Sequence, residues 1–218
     1  MMKTPAILPH AGRRELILGA AGLAGAGLLL RGTPAAAAPR IGQAAPDFSR
    51  PDSHGGTRSL SALRGKLVVL EWTNHDCPFV MKHYGASNMQ NLQREVADAG
   101  GVWLSVISSA PGEQGHVPAA QANELTRSRE AAPTAVLLDP EGEMGRAYNA
   151  QTTPHMYIIS AEGTLLYMGG IDSIASTRVE DLQKATPHFR NAFQAVREGR
   201  PVQNAVTRPY GCNVKYAA

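Results

Sequence analysis

Cysteine is scarce in this chain. Its 218 residues contain two, Cys77 and Cys212, and their positions fit no zinc ribbon or finger, which needs closely spaced pairs of Cys or His. Neither a disulfide-dense scaffold nor a structural metal site is expected. Aromatic residues make up 6% and charged residues 18%, and no basic cluster lies beyond the first 38 residues, so a nucleic-acid partner is not expected. Within residues 1–38, Lys3, Arg13, Arg14 and Arg31 face only Glu15, an imbalance that supplies the whole formal charge of +3 and leaves the remainder near neutral. No apolar run reaches the roughly 20 residues needed to cross a bilayer. Internal repeats and low-complexity linkers are missing as well.

What is present, at 43% hydrophobic residues, is enough for one globular domain with a sizeable core. An apolar stretch from Ile17 to Leu30 follows Arg13-Arg14 and precedes Ala35-Ala36-Ala37-Ala38. Paired arginines, a short apolar region and a small-residue cleavage site read together as a twin-arginine-type signal peptide over residues 1–38. A periplasmic or otherwise exported location is therefore expected for residues 39–218, with no membrane span after leader removal. The alternative is an uncleaved anchor.

From Pro39 to Lys66 the sequence is rich in Gly, Pro, Ser and Asp and reads as a leading arm rather than a domain, with an edge turn or strand at Arg58 to Leu63. Leu67 to Trp72 is a nearly continuous apolar run, the pattern of a strand covered on both faces. A helix is expected from Pro78 to about Ala99, stopped by Gly100-Gly101, and then a strand from Val102 to Ile107. Helix Ala119 to Ala131, strand Thr134 to Leu138 and a short helix around Glu143 to Tyr148 continue the alternation. Strands Met156 to Ile159 and Thr164 to Met168 are joined as a hairpin by Ala161-Glu162-Gly163. An amphipathic helix from Val179 to about Glu198 leads into a tail containing Cys212. This order predicts an α/β sandwich with a mixed central sheet and helices on both faces.

Cys77 falls where the central strand gives way to a helix. The first N–H groups of a helix have no partner within it, and their partial positive charge favours a thiolate over a thiol. Pro78 suits the first helical position, where its missing N–H costs nothing. A nucleophilic sulfur is thus expected at Cys77.

The combination resembles the thioredoxin superfamily, and within it the redoxin branch that includes peroxiredoxins and exported thioredoxin-like proteins. Cys77-Pro78-Phe79-Val80 after Trp72 is similar to the family's Cys-Pro-x-Cys. Thr153-Pro154 stands immediately before a strand, as does the family's cis proline, and Gly169-Gly170 follow the last strand. The resemblance covers roughly Ala45 to Gly199. It implies a thioredoxin-like sandwich, an oxidoreductase without a cofactor, and a substrate platform formed by Thr153, Pro154 and Trp72. Substrates would be protein disulfides or a small peroxide or thiol, with a thioredoxin-like protein as reductant. Glu71 would be the buried carboxylate that moves protons behind the site.

Two departures matter. Val80 replaces the family's second cysteine, so another thiol must resolve Cys77, and Cys212 is the internal candidate. Asn74 replaces the threonine expected three residues before a peroxiredoxin nucleophile, which weakens the peroxide variant. The apolar residues Tyr210, Val214 and Tyr216 around Cys212 suit a docked tail rather than a solvated one. A Cys77–Cys212 bond could equally be a permanent staple, stabilising by roughly 4 to 5 kcal/mol on the loop-entropy model. His75 and His155 are candidate modulators of the thiol and Asp76 an opposing charge, while Lys82 and His83 read as solvated surface residues. A different reading is a copper-binding module of the same fold, with His75, Cys77, His83 and His155 converging on a soft cation.

Overall fold

The computed structural model describes residues 38–217, so the leader expected over residues 1–38 lies outside them except for its last residue. In chain order the elements begin with β1 (Ser49–Pro51), β2 (Thr57–Ser59), β3 (Val68–Trp72), α1 (Pro78–Gly85), α2 (Asn88–Asp98) and β4 (Val102–Ile107). They continue with α3 (Ala119–Ser128), β5 (Ala135–Leu138), α4 (Glu143–Ala147), β6 (Thr152–Thr153), β7 (His155–Ile159), β8 (Leu165–Gly169), α5 (His188–Arg197) and β9 (Cys212–Asn213). Short 3-10 turns cover Ser61–Leu63 and Val179–Gln183.

The apolar run at Val68–Trp72 becomes the middle strand. The sheet order is β5-β4-β3-β7-β8, with β3, β4 and β5 parallel and β7 and β8 antiparallel. Every residue of β3, β4 and β7 is buried, as a sheet covered on both faces requires. Alternation along β3 divides the core. Leu70 and Trp72 join Leu104, Tyr148 and Tyr157 on one face, and Val69 joins Trp103, Met156, Ile158 and Phe189 on the other. Each such large side chain contributes about 1.5–3 kcal/mol by leaving water. This is the expected thioredoxin-like sandwich.

Two expectations about elements are corrected. The helix expected from Pro78 to Ala99 is two, because Ala86 and Ser87 form a break in which Ser87 takes φ 57°. The helix expected from Val179 to Glu198 is a 3-10 turn followed by α5, separated at Thr186-Pro187. Proline cannot donate within a helix and disfavours helical geometry in the residue before it. The leading arm packs against the sheet: β1 and β2 pair as a hairpin, Asp52 between them is buried, and Ser53 N–H donates to the Val136 carbonyl at 2.9 Å. Among the described residues no helix is long and apolar enough to cross a membrane.

Candidate active site

Cys77 lies at the mouth of α1, which the turn after β3 builds. The Asn74 carbonyl accepts from Cys77 N–H at 3.1 Å and the Asn74 side chain accepts from Asp76 N–H at 2.9 Å. Cys77 is thereby the N-cap, with extended backbone, and Pro78 opens the helix. Its own carbonyl accepts the first helical bond, from Met81 N–H at 2.9 Å. The side chain is fully buried.

Across from it runs β6. The Thr153–Pro154 peptide is cis, and the Cys77 thiol donates to the Thr153 carbonyl at 3.0 Å. The tail closes the third side. β9 pairs antiparallel with β6, Thr153 opposite Cys212 and Thr152 opposite Asn213, and Cys212 N–H points at Cys77 Sγ at 3.4 Å. Further along, Val214 N–H donates to the Gln151 carbonyl at 3.0 Å and Tyr216 Oη to the Ala150 carbonyl at 2.7 Å. Tyr216 fills a slot that only glycine permits at positions 142 and 145, where a Cβ would lie 2.5 Å from the tyrosine.

Both cysteines are thiols in this structure, and they are not equivalent. Burial pushes the Cys77 thiol up, but hydrogen bonds from the Cys212 and Thr153 side chains and from the N–H groups of Cys212 and Val80 outweigh it and hold Cys77 below its ordinary value. Cys212 goes the other way. Burial, then the hydrogen bond to Cys77 and the charge of Cys77, push it up to about 11. Of the two sulfurs, Cys77 is therefore the more readily ionised and Cys212 the less.

Several of the remaining site residues fall differently from expectation. Trp72, expected on the substrate platform, is a core residue: it is fully buried, packs on Tyr148 and Tyr157, and donates its indole N–H to Ser108 Oγ at 3.0 Å. His155 stacks on Tyr157, and its Nδ1 lies 3.3 Å from Gln151 N–H and 3.2 Å from Tyr157 Oη. Burial lowers its pKa to about 3, so it holds no positive charge near neutrality. His75 pairs with Asp76 at 3.3 Å, and burial pulls its pKa down. Neither histidine hydrogen-bonds the sulfur. Glu71 is fully buried, as expected, and accepts from Tyr84, Trp103 and Ser105, each within 3.1 Å; Tyr84 and Trp103 belong to the core cluster that also holds Cys77. Burial raises its pKa in spite of those donors.

Lys82 and His83 are not solvated. They are 3% and 0% exposed and converge on Tyr210 and Asp172; the sequence named Tyr210 only as an apolar tail residue and Asp172 not at all. The one available signal was Tyr210 itself, an aromatic residue two positions before Cys212. The copper reading finds no site, because the histidines turn to separate partners and, among the described residues, no three His, Cys, Asp or Glu side chains are grouped to hold a metal ion.

Comparisons agree on the architecture. A hypothetical protein from Sinorhizobium meliloti is similar at TM-score 0.68 and 22% identity over 82% of this chain and 96% of that one. An uncharacterized conserved protein from Geobacillus kaustophilus gives TM-score 0.69 and 22% identity over 82% and 93%. The peroxidoxin BcpB from Mycobacterium tuberculosis gives 0.53 and 19% over 74% and 99%. At these identities the likeness is one of fold. No curated protein matches the chain. The sequence profile of the AhpC/TSA family does match, over residues 41–168, which takes in β3, Cys77, Thr153-Pro154 and the closing hairpin; the chain belongs to that family.

Proposed function

We propose that this protein is an exported thiol-disulfide oxidoreductase of redoxin type, with Cys77 as nucleophile and Cys212 as resolving thiol. The observation that carries the reading is the pairing of β9 with β6, which sets Cys212 beside the Cys77 sulfur. In the first step the Cys77 thiolate attacks one sulfur of a substrate disulfide. The substrate S–S bond breaks, a Cys77 mixed disulfide forms and the leaving thiolate takes a proton. Cys212, deprotonated, then attacks the Cys77 sulfur, expelling the second substrate thiol and forming Cys77–Cys212. Two electrons pass from the protein to the substrate, and an external dithiol of thioredoxin type returns them. The leader read at residues 1–38 supports export.

A peroxide is the small-substrate variant. Attack on the O–O bond leaves Cys77 as sulfenic acid and releases an alcohol or water, and condensation with Cys212 releases water and forms the same disulfide. The burial of Cys77 under the tail favours it, because a small electrophile needs less room than a protein. Turnover of hydrogen peroxide and of a protein disulfide, each coupled to a thioredoxin-like reductant, separates the two. The proposal expects saturable turnover of at least one, abolished by blocking Cys77; turnover of neither contradicts it.

A further inference from the structure

The tail is anchored through charged side chains that the redox steps do not use. Tyr210 lies two residues before Cys212, and its hydroxyl donates to Asp172 Oδ1 at 2.5 Å and accepts from Lys82 Nζ at 3.1 Å. His83 Nε2 is 3.3 Å away. Lys82, His83 and Asp172 are each at most 5% exposed. Lys82 and His83 belong to α1, the helix that Cys77 caps, and Asp172 follows β8. The Tyr210 ring meets Phe79 edge-on at 5.6 Å and holds Lys82 Nζ 5.2 Å from its centre.

Burying a lysine and a carboxylate costs desolvation that their mutual attraction only partly offsets. The attraction is imperfect here, since Asp172 Oδ2 has no hydrogen-bond partner and stands 3.6 Å from Lys82 and 3.7 Å from His83. Departure of Tyr210 would let these groups hydrate, so the seat holds the tail without making its release prohibitive. Packing beside it is incomplete, because a cleft of about 560 Å³ lies along the tail between Thr152, Asp172, Arg208 and Asn213. Gly211 couples the seat to the sulfur. It has φ +135°, and a Cβ there would come within 2.0 Å of the Thr153 carbonyl oxygen, so the chain passes from Tyr210 to Cys212 in contact with β6.

We propose that Tyr210, seated among Asp172, Lys82 and His83, is the positioning residue that holds Cys212 against Cys77 and keeps the Thr152–Thr153 edge closed, its release opening that edge to an extended segment of a protein substrate. The inference rests on the reading of Cys212 as the resolving thiol. It adds that one tyrosine hydroxyl sets the balance between resolution and access.

The test uses the full chain and its Tyr210→Phe variant, with Asp172→Asn as a second disruption of the seat. Loss of a hydrogen bond to a charged partner is worth about a tenfold change or more in an equilibrium. After a stoichiometric dose of a small aromatic disulfide, formation of the Cys77–Cys212 bond is expected to slow by about that factor. Alkylation of Cys77 by a bulky maleimide is expected to quicken by about the same factor, with little change in melting temperature. Opposite changes in the two rates support positioning. Unchanged rates in both variants, or two rates that move together with a lowered melting temperature, overturn it. The alkylation arm repeated in a Cys212→Ser background separates the two proposals: if Tyr210→Phe still quickens alkylation there, the seat stands whether or not Cys212 resolves.

Discussion

Replacing Cys77 with serine is expected to abolish turnover, by on the order of a thousandfold or more, whereas replacing Cys212 with serine is expected to preserve the first turnover and stop the cycle after it. A serine hydroxyl at Cys77 would not ionise near neutrality, because no base stands beside it: His155 turns to Gln151 and Tyr157, and His75 to Asp76. The nucleophile is lost outright. Cys212→Ser leaves Cys77 its N–H donors from Cys212 and Val80, since the backbone of β9 remains, so attack still occurs. The mixed disulfide then waits for an external thiol in place of one already in contact. Intramolecular thiols act at effective concentrations of millimolar and above, so steady-state turnover at micromolar reductant should fall by about a hundredfold. Rapid mixing with a chromogenic disulfide would show a burst of one leaving group per chain in Cys212→Ser and none in Cys77→Ser. Equal steady-state rates for Cys212→Ser and the parent would remove the tail thiol from the mechanism.

The second large effect concerns stability and belongs to Glu71. One carboxylate oxygen accepts from Trp103 Nε1 and Ser105 Oγ, each at 2.9 Å, and the other from Tyr84 Oη at 2.9 Å. Glu71→Ala would strand all three buried donors. Each unsatisfied group costs about 1–3 kcal/mol, so a loss of about 3–5 kcal/mol is expected, a large fraction of a typical total, with the melting temperature lower by roughly 10 °C. Glu71→Gln keeps an oxygen toward Trp103 and Ser105 and turns its amide to the Tyr84 oxygen, so it should fold. It should also change the pH dependence. Burial raises the Glu71 pKa above 4.5 in the folded state, so between the unfolded and folded values the native protein holds a proton that the unfolded chain has lost. Stability from this group is full below the unfolded value and declines as pH rises through the folded one. The Gln variant lacks that decline, and its melting temperature should gain on the parent as pH is raised from acid to neutral. Parallel curves for parent and Gln variant would contradict the assignment.

The central sheet was readable because long apolar runs admit few alternatives: Val102–Ile107 appears with the expected bounds, and Val68–Trp72 within one residue. Thr153-Pro154 and Cys77-Pro78 were readable as dipeptides with a distinctive place in the element order. What escaped depends on partners distant in sequence. Nothing around Lys82 and His83 indicates that Asp172 and Tyr210 will close over them, so a polar pair on a helix passed for a solvated face. Trp72 was assigned to the substrate platform from its place in a motif, yet its side chain is enclosed by Tyr148 and Tyr157 arriving from later elements. The docking of the tail was foreseeable from its apolar residues, whereas the two-residue register of β9 on β6 was not, because so short a strand has no periodicity. The break at Thr186-Pro187 did have a local signal, the proline, which the apolar periodicity around it masked.

The central claim is that the Cys77 sulfur reacts first and hands its bond to Cys212 of the same chain. Peptide mapping of the reduced protein after one equivalent of oxidant tests it most directly. The account predicts that both thiols disappear together in a monomer, that the Cys77 and Cys212 peptides are joined, and that a thioredoxin-like reductant parts them. Oxidised Cys77 beside a still-free Cys212, a disulfide between two chains, or a Cys77–Cys212 bond that resists such a reductant would contradict it.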